Sequence, residues 1–301
     1  HFGGGTATGG AVVVDAAVEA ILSAGAIGSP HILQLSGVGD PNHLGGIGIP
    51  VVHGLKGVGR NFQDHFIVRV AQRVKDAPSI NERSRGLGLA AEVARYVLTG
   101  TGMLTYGASL VAASVKVLPE SDTPDIQAMF APGSYAPGRG RELETLPGMT
   151  GGIWQMRPLA RGYVEARTNR PEDMPAINPR YLDDDRDRRA AVGGLRFLRR
   201  LFDAPALSRY IVEETVPGLN VDSDDELLDY ARNTGTTVYH ASCSCRMGPD
   251  AMSVVDDRLR VHGLRGLRVI DASTMPAVTS TNTNAPTIMI AEKAADMIKA
   301  V

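Results

Sequence analysis

The sequence contains few cysteines and no long apolar run, and each absence excludes a kind of site. Cys243 and Cys245 are its only cysteines, and two residues so close in sequence are poorly placed for a disulfide. Two thiolates without further matching ligands nearby also make a poor metal site. We therefore predict small packed thiols and no metal. No apolar stretch reaches the roughly 18 residues that a membrane-spanning helix needs.

The net charge and the composition indicate which partners, which cellular compartment and how many domains to expect. A formal net charge of -2 gives no reason to expect nucleic acid or an anionic membrane as a partner. Free thiols fit a reducing compartment, and a cytoplasmic protein is expected. The hydrophobic content of 43% is sufficient for a core. At about 150 residues per domain, 301 residues predict one large or two modest domains.

One acidic residue closes a short apolar segment. Residues 267–271 (LRVID) predict a buried strand that ends in a carboxylate. Ligands of α/β sheets bind beyond the carboxyl ends of the strands. Asp271 is thus placed to hold a ribose or ribityl hydroxyl, or to accept hydrogen bonds from nearby backbone. A turn-forming aspartate at a strand end is an equally good interpretation.

An asparagine precedes a predicted C-terminal helix. Pro286 is typical of the first turn of a helix, and apolar residues recur at helical spacing from there to residue 301. Asn284 is predicted at or just before the helix N-terminus, where free N–H groups and the dipole stabilise negative charge. By itself, Asn284 is more simply interpreted as an N-cap.

A histidine follows a β-branched and aromatic segment. Residues 236–239 (TTVY) predict a strand, and His240 lies at the turn after it. Imidazole titrates near neutrality, so it can take a proton from a hydroxyl at working pH. A structural histidine is the simpler interpretation of His240 alone. His65, beside Asp64, is also interpreted as structural.

These segments occur together in one order and spacing: 237–248 (TVYHASCSCRMG), 266–276 (GLRVIDASTMP) and 282–287 (NTNAPT), continued by IMIAEKAAD. Together they resemble the C-terminal signature of the glucose–methanol–choline (GMC) family of FAD-dependent alcohol oxidoreductases. Residues 23–39 resemble a second signature of the family, and residues 55–65 (LKGVGRNFQDH) resemble the stretch after it. The resemblance covers essentially the whole chain.

The resemblance implies an enzyme with FAD as cofactor. The expected reaction is oxidation of an alcohol to an aldehyde or ketone by hydride transfer to flavin N5, and an asparagine at position 284 resembles the choline-oxidising branch. The residue matching His240 is the family's catalytic base, and Asn284 matches the partner that fixes the substrate oxygen. The residues implied at the cofactor are Ala24, Gly25, Tyr239, Asp271, Ala272, Asn284, Ala285, Pro286 and Thr287.

The implied fold class is α/β (α+β), in which a partial Rossmann-like FAD-binding domain is interrupted by a substrate domain. The FAD-binding domain is expected at 1–65 and 225–301, and the substrate-binding domain at 66–224. Alternating strands within 66–224 predict an antiparallel sheet flanked by helices. Local patterns predict strands at 12–14 and 20–22, a helix that opens at Ser29 and Pro30, and a mobile loop over 132–152.

The sequence lacks the family's strand–Gly-x-Gly-x-x-Gly–helix unit, which cradles the FAD pyrophosphate. Glycines at 3–5 and 9–10 have the wrong spacing. We expect either a split or nicked enzyme or a gap in the sequence. The expected partner is the N-terminal FAD-binding polypeptide of the same enzyme, besides a small alcohol substrate.

Other functions compete with alcohol oxidation. A GMC-fold lyase, similar to hydroxynitrile lyases, would use the same scaffold without reducing the flavin. A non-catalytic flavin-binding subunit would bind ligand and never reduce the flavin. A Ser/His/Asp hydrolase that uses His240 and Asp271 is excluded because no Gly-x-Ser-x-Gly elbow is present.

Overall fold

The computed structural model describes residues 15–107, 109–136 and 142–300. Its strands are β1 (Ala20–Leu22), β2 (Val38–Gly39), β3 (His53–Gly54), β4 (Phe66–Val74), β5 (Val111–Val115), β6 (Ile126–Ala131), β7 (Gly148–Gln155), β8 (Tyr163–Glu165), β9 (Ala176–Asn178), β10 (Ile211–Val216), β11 (Thr236–Thr237) and β12 (Leu267–Val269). Its helices are α1 (Gly25–Leu35), α2 (Pro41–Gly46), α3 (Ile80–Arg83), α4 (Gly86–Thr99), α5 (Asp185–Phe202), α6 (Pro205–Ser208), α7 (Asp224–Thr234) and α8 (Asn284–Lys299). The strand predicted at 12–14 lies outside the described residues.

The chain divides into two compact units. The first contains the described residues up to His65, residues 157–181 and the described residues from 239 onward; the second contains residues 66–156 and 182–238. The division after His65 coincides with the predicted domain boundary. Residues 157–181 belong to the first unit because β8 packs against α1, and residues 225–238 belong to the second because α7 packs against α5. The functional names of the units stay predictions.

The second unit is built on an antiparallel sheet in the order β10-β4-β7-β6-β5, with β11 also paired to β4. Strand β7 is buried along its whole length, and α5 packs against it. Two glycines permit this close approach. A Cβ at Gly151 would lie 2.8 Å from a methyl carbon of Leu198, and one at Gly194 would lie 2.8 Å from a methyl carbon of Ile153. The predicted antiparallel sheet flanked by helices is confirmed.

In the first unit, the predicted strand at 20–22 is confirmed. It is β1, which pairs in parallel with β12, so that Ala20 lies opposite Leu267. The apolar side chains around this pair form one buried cluster with residues of α1 and α8. Its buried members are Leu33, Val38, Leu55, Val58, Cys243, Cys245, Val254, Val255, Leu259, Val261, Val269, Ile270, Met275, Val278, Ile290 and Ala294. The predicted packed thiols are therefore confirmed as core residues.

Helix α1 corrects a predicted boundary. It begins at Gly25, so Pro30 lies inside the helix and does not open it. A proline has no N–H to donate to the carbonyl four residues earlier, which here is that of Ala26. The Ala26 oxygen instead accepts a hydrogen bond from the Ser244 hydroxyl at 2.6 Å. A long-range side chain thus replaces the missing helical bond, which the local pattern does not reveal.

Helix α8 begins at Asn284 and has Pro286 in its first turn, which confirms the predicted helix start. Two further boundaries differ from prediction. Strand β7 begins at Gly148, so the loop predicted over 132–152 is shorter than expected. Strand β11 ends at Thr237, before the predicted end of that strand at residue 239. Within the described ranges, no helix is both long and apolar enough to cross a membrane.

Candidate active site

Asp271 lies just after β12 and is buried. One carboxylate oxygen accepts hydrogen bonds from the Gly25 N–H at 2.9 Å and the Ser29 hydroxyl at 2.5 Å. The other oxygen accepts from the Ser273 N–H at 2.8 Å. These bonds agree with the interpretation in which Asp271 accepts hydrogen bonds from nearby backbone. They join the start of α1 to the turn after β12. A contact from Asp271 or Ala272 to a cofactor stays a prediction.

The backbone at the start of α1 is open. Gly25 has a φ of +79°, which favours glycine, and a Cβ there would meet no heavy atom of the described residues within 4 Å. Ala24 donates its N–H to the Ser29 hydroxyl at 3.1 Å, which fixes the turn. A helix start with an accessible backbone suits close approach by a ligand. The contact of Ala24 and Gly25 with the cofactor stays a prediction.

His240 is the centre of a second polar cluster. Its backbone N–H donates to Asp64 Oδ1 at 2.9 Å. Its Nδ1 lies 2.8 Å from Nδ1 of His65, and the two rings meet edge to face at 86°. Its Nε2 lies 3.0 Å from the side-chain nitrogen of Asn282. Both ring nitrogens are therefore held, and the ring has a defined orientation.

Asp64 supports the cluster through the backbone of His240. The carboxylate is buried, and its Oδ2 accepts a hydrogen bond from the Tyr181 hydroxyl at 2.5 Å while Oδ1 holds the His240 backbone. Burial lowers the pKa of His240 from its ordinary value, and the charge of Asp64 opposes that shift in part. The imidazole is thus neutral at pH 7, which is the form that accepts a proton.

The asparagine beside the imidazole differs from the one expected. Asn282 contacts His240. Asn284 is the exposed first residue of α8, at the helix N-terminus where it was predicted. The predicted role of Asn284 as partner of the base stays a prediction, and the geometry adds Asn282 as a candidate for that role.

The other predicted cofactor residues lie on two short segments. Ala272 opens the turn after Asp271, and its carbonyl accepts from the Cys243 N–H at 3.1 Å. Ala285, Pro286 and Thr287 form the first turn of α8. The N-cap residue, Thr283, makes no side-chain capping bond. The first N–H groups of α8, which have no acceptor within the helix, therefore donate no hydrogen bond to that side chain. This arrangement suits an electron-rich ligand atom.

Tyr239 directs the chain into the cluster. Its φ of +64° is unusual for a residue with a side chain, and it is 72% exposed, whereas His240 is 7% exposed. The left-handed conformation thus separates an outward tyrosine from an inward histidine. Its predicted contact with a cofactor stays untested.

Sequence reasoning missed Asn282 and the functional position of His65. Asn282 carried a signal, since it opens the same motif, but the resemblance directed the prediction to Asn284. His65 carried only its neighbour Asp64 as a signal. Its position against His240 depends on a contact between residues 175 positions apart, which the local pattern does not encode.

The first unit contains four features of a candidate site. They are a buried neutral imidazole, an amide at its Nε2, an accessible glycine backbone and a helix start without a side-chain cap. Such a constellation can accept a proton from a hydroxyl group and can hold a ligand close to the backbone. Comparison with known proteins identifies the family. Models described as GMC oxidoreductase match residues 4–67, for the N-terminal part, and residues 158–291, for the C-terminal part. The chain belongs to the GMC oxidoreductase family.

Two curated relatives show the extent of the match. The alcohol dehydrogenase [acceptor] of Pseudomonas putida is 41% identical over 285 residues, 93% of this chain and 51% of that protein. The oxygen-dependent choline dehydrogenase of Pectobacterium carotovorum is 39% identical over 286 residues, 95% of this chain and 51% of that protein. The chain thus spans about half the length of these relatives.

Solved structures agree with the fold. A formate oxidase matches with a TM-score of 0.86 and 26% identity, over 95% of this chain and 54% of that one. A fungal aryl-alcohol oxidase matches with a TM-score of 0.77 and 27% identity, over 93% and 54%. The family and the FAD-dependent structural relatives indicate FAD as the cofactor.

The comparisons correct the expectation of a separate N-terminal polypeptide as partner. The N-terminal family model matches residues 4–67 and the C-terminal one residues 158–291, so the match itself does not require a second polypeptide. The space beside Gly25 and the start of α8, which has no side-chain capping bond from Thr283, fit a bound flavin nucleotide, because the backbone can be approached closely at both places.

Proposed function

We propose that this chain takes part in FAD-dependent oxidation of an alcohol to an aldehyde or ketone, with His240 as the base. The neutral imidazole carries the proposal. Burial lowers its pKa, and its Nε2 lies within hydrogen-bond distance of an amide that can hold a substrate oxygen as well. A relative named for alcohol oxidation and others named for choline support this substrate class.

In this proposal, His240 Nε2 takes the proton of the substrate hydroxyl. Asn282 donates a hydrogen bond to the same oxygen and holds it beside the imidazole. When bound, FAD supplies the two-electron acceptor for the hydride that leaves the alcohol carbon. Asp64 favours the cationic imidazole that proton transfer creates, because its carboxylate carries the opposite charge.

Ala24 and Gly25 would approach the cofactor through their backbone at the start of α1. Tyr239, Asp271, Ala272 and the first turn of α8, with Ala285, Pro286 and Thr287, are proposed as further contacts. The portion of the relatives outside the match would supply the remaining contacts, either from a second polypeptide or from further sequence of the same one. Flavin absorbance of this chain, purified with and without a glycine-rich segment from that portion, tests this requirement.

The central experiment is His240→Ala in the complete, FAD-loaded enzyme. Removal of a general base lowers the rate by about 10²–10⁴-fold. We expect a loss of this size in anaerobic stopped-flow reduction of the flavin by an alcohol, with FAD content unchanged. His53→Ala, in strand β3 of the same unit, is the matched control and is expected to keep the parental rate.

Three results would contradict the proposal. A His240→Ala rate within a few-fold of the parent would remove the base from its role. A parent enzyme that converts its substrate without bleaching the flavin would point to the lyase, and one that binds ligand without turnover would point to the non-catalytic subunit.

A further inference from the structure

His65 faces the proposed base directly and is fully buried. We infer that His65 is a positioning residue: it accepts a hydrogen bond from His240 Nδ1–H and so keeps the Nε2 lone pair of His240 available to the substrate. The inference rests on the proposed role of His240 and deepens it. His65 acts through another side chain and does not touch the substrate.

An isolated antiparallel bridge holds the two histidine segments together. The Gln63 N–H donates to the Ser242 carbonyl at 3.1 Å, and the Ser242 N–H donates back to the Gln63 carbonyl at 2.9 Å. His65 and His240 each lie two residues from this bridge, on the same side of it. The His240 N–H bond to Asp64 Oδ1 holds the two segments together at that end.

The short Nδ1–Nδ1 distance requires one proton between the rings. Two nitrogens that both carry a hydrogen would repel each other, and two bare nitrogens could not bond at 2.8 Å. At the other side of the His240 ring, the Asn282 side-chain nitrogen lies 3.0 Å from Nε2. An amide nitrogen is a donor, so Nε2 is the acceptor there.

The direction of both bonds follows. A neutral imidazole carries one proton, and since Nε2 of His240 accepts, that proton is on Nδ1. His240 Nδ1–H therefore donates to the bare Nδ1 of His65, whose own proton is on Nε2. In this tautomer, the lone pair of His240 Nε2 points toward Asn282. A substrate hydroxyl at that position would replace the amide hydrogen bond or share the lone pair with it.

The proton step leaves His65 unchanged. The O–H bond of the alcohol breaks, an N–H bond forms at His240 Nε2, and His240 becomes a cation that still donates Nδ1–H to His65. A second positive charge at this distance is disfavoured, so His65 stays neutral. The countercharge comes from Asp64, which Tyr181 holds in place.

Removal of His65, the acceptor of the His240 Nδ1–H bond, is expected to slow flavin reduction for a specific reason. Without His65, the buried Nδ1–H of His240 has no partner from that position, and the imidazole shifts toward the tautomer with its proton on Nε2. That tautomer cannot accept the substrate proton. The expected decrease in the flavin-reduction rate is about 10- to 100-fold.

The test compares two replacements in the complete FAD-loaded enzyme. His65→Leu fills the space without an acceptor, whereas His65→Asn offers a carbonyl oxygen near the position of Nδ1. We expect His65→Leu to lower the limiting rate of anaerobic flavin reduction by about 10- to 100-fold with little change in apparent alcohol affinity. We expect His65→Asn to restore the rate to within about fivefold of the parent.

A second readout does not depend on the folding of the His65 variants. Nitrogen-15 NMR of labelled histidine in the parent enzyme reports which ring nitrogen of His240 carries the proton, with His240→Gln to assign the signal. A proton on Nδ1 supports the inference, and a proton on Nε2 overturns it. Equal loss in His65→Leu and His65→Asn at full FAD content would also overturn it. A slow His240→Ala enzyme together with a parental His65→Leu enzyme would refute the positioning role alone.

Discussion

Two buried polar centres of the first unit differ in what their hydrogen bonds do. At Asp271, both carboxylate oxygens accept from groups of the protein itself, namely the start of α1 and the following turn. At His240, the ring is held at Nδ1, while Nε2 meets an amide that comes from a third segment of the chain. The first centre joins elements together, and the second presents a proton acceptor. Burial alone therefore does not distinguish a structural residue from a candidate catalytic one.

The largest expected effect on stability is at Asp271. Asp271→Ala leaves the N–H groups of Gly25 and Ser273 and the Ser29 hydroxyl without their acceptor, and we expect a loss of about 3–5 kcal/mol. Urea unfolding of the FAD-loaded enzyme measures this decrease in the free energy of unfolding. Asp40→Ala, which removes a single N-cap bond to the Asn42 N–H, is the matched control and is expected to cost about 1 kcal/mol. Equal losses would show that Asp271 does not join the two segments.

The next effect separates two asparagines of one motif. Asn282→Ala removes the amide at the imidazole and is expected to slow flavin reduction about tenfold, equivalent to ~1.4 kcal/mol. Asn284→Ala changes an exposed residue of α8 and is expected to leave the rate within about twofold. Stopped-flow measurements on the two variants side by side decide between them. A larger loss at Asn284 would restore the assignment made from sequence.

The pH dependence follows from the lowered pKa of His240. Only the neutral ring accepts a proton, and its pKa lies below 6.5, so the acid limb of the rate profile should have its midpoint below pH 6.5. Between the folded pKa and 6.5, the unfolded state binds more protons, so this contribution to stability is lost as the pH falls. A midpoint above 6.5, or an unchanged limb in His240→Gln, would contradict the assignment.

The smallest expected effect is at the thiols. Burial raises the pKa of Cys243 to about 12 and also raises that of Cys245. Thiolate is the reactive form, so iodoacetamide at pH 8 should label neither cysteine in the folded enzyme. Labelling after unfolding in urea is the control, detected by mass spectrometry. Rapid labelling of the folded enzyme would place a thiol outside the core.

Regular elements were the part that could be predicted. Helix α5 has acids in its first turn and a buried stripe, and α4 ends at Gly100 in a left-handed conformation, so local chemistry defined both. Helix α1 was misjudged because a proline usually opens a helix. Its interior position depends on Ser244, 218 residues away.

The sequence by itself determined the antiparallel sheet, the strand that leads to Asp271 and the helix at the C-terminus. These features depend on periodicity and on residue types over a few positions. His240 was selected by the resemblance of its motif to a family and not by its local pattern. Only the tertiary structure decided that His65 and Asn282 contact His240, because those contacts join segments that are 175 and 42 positions apart in the chain.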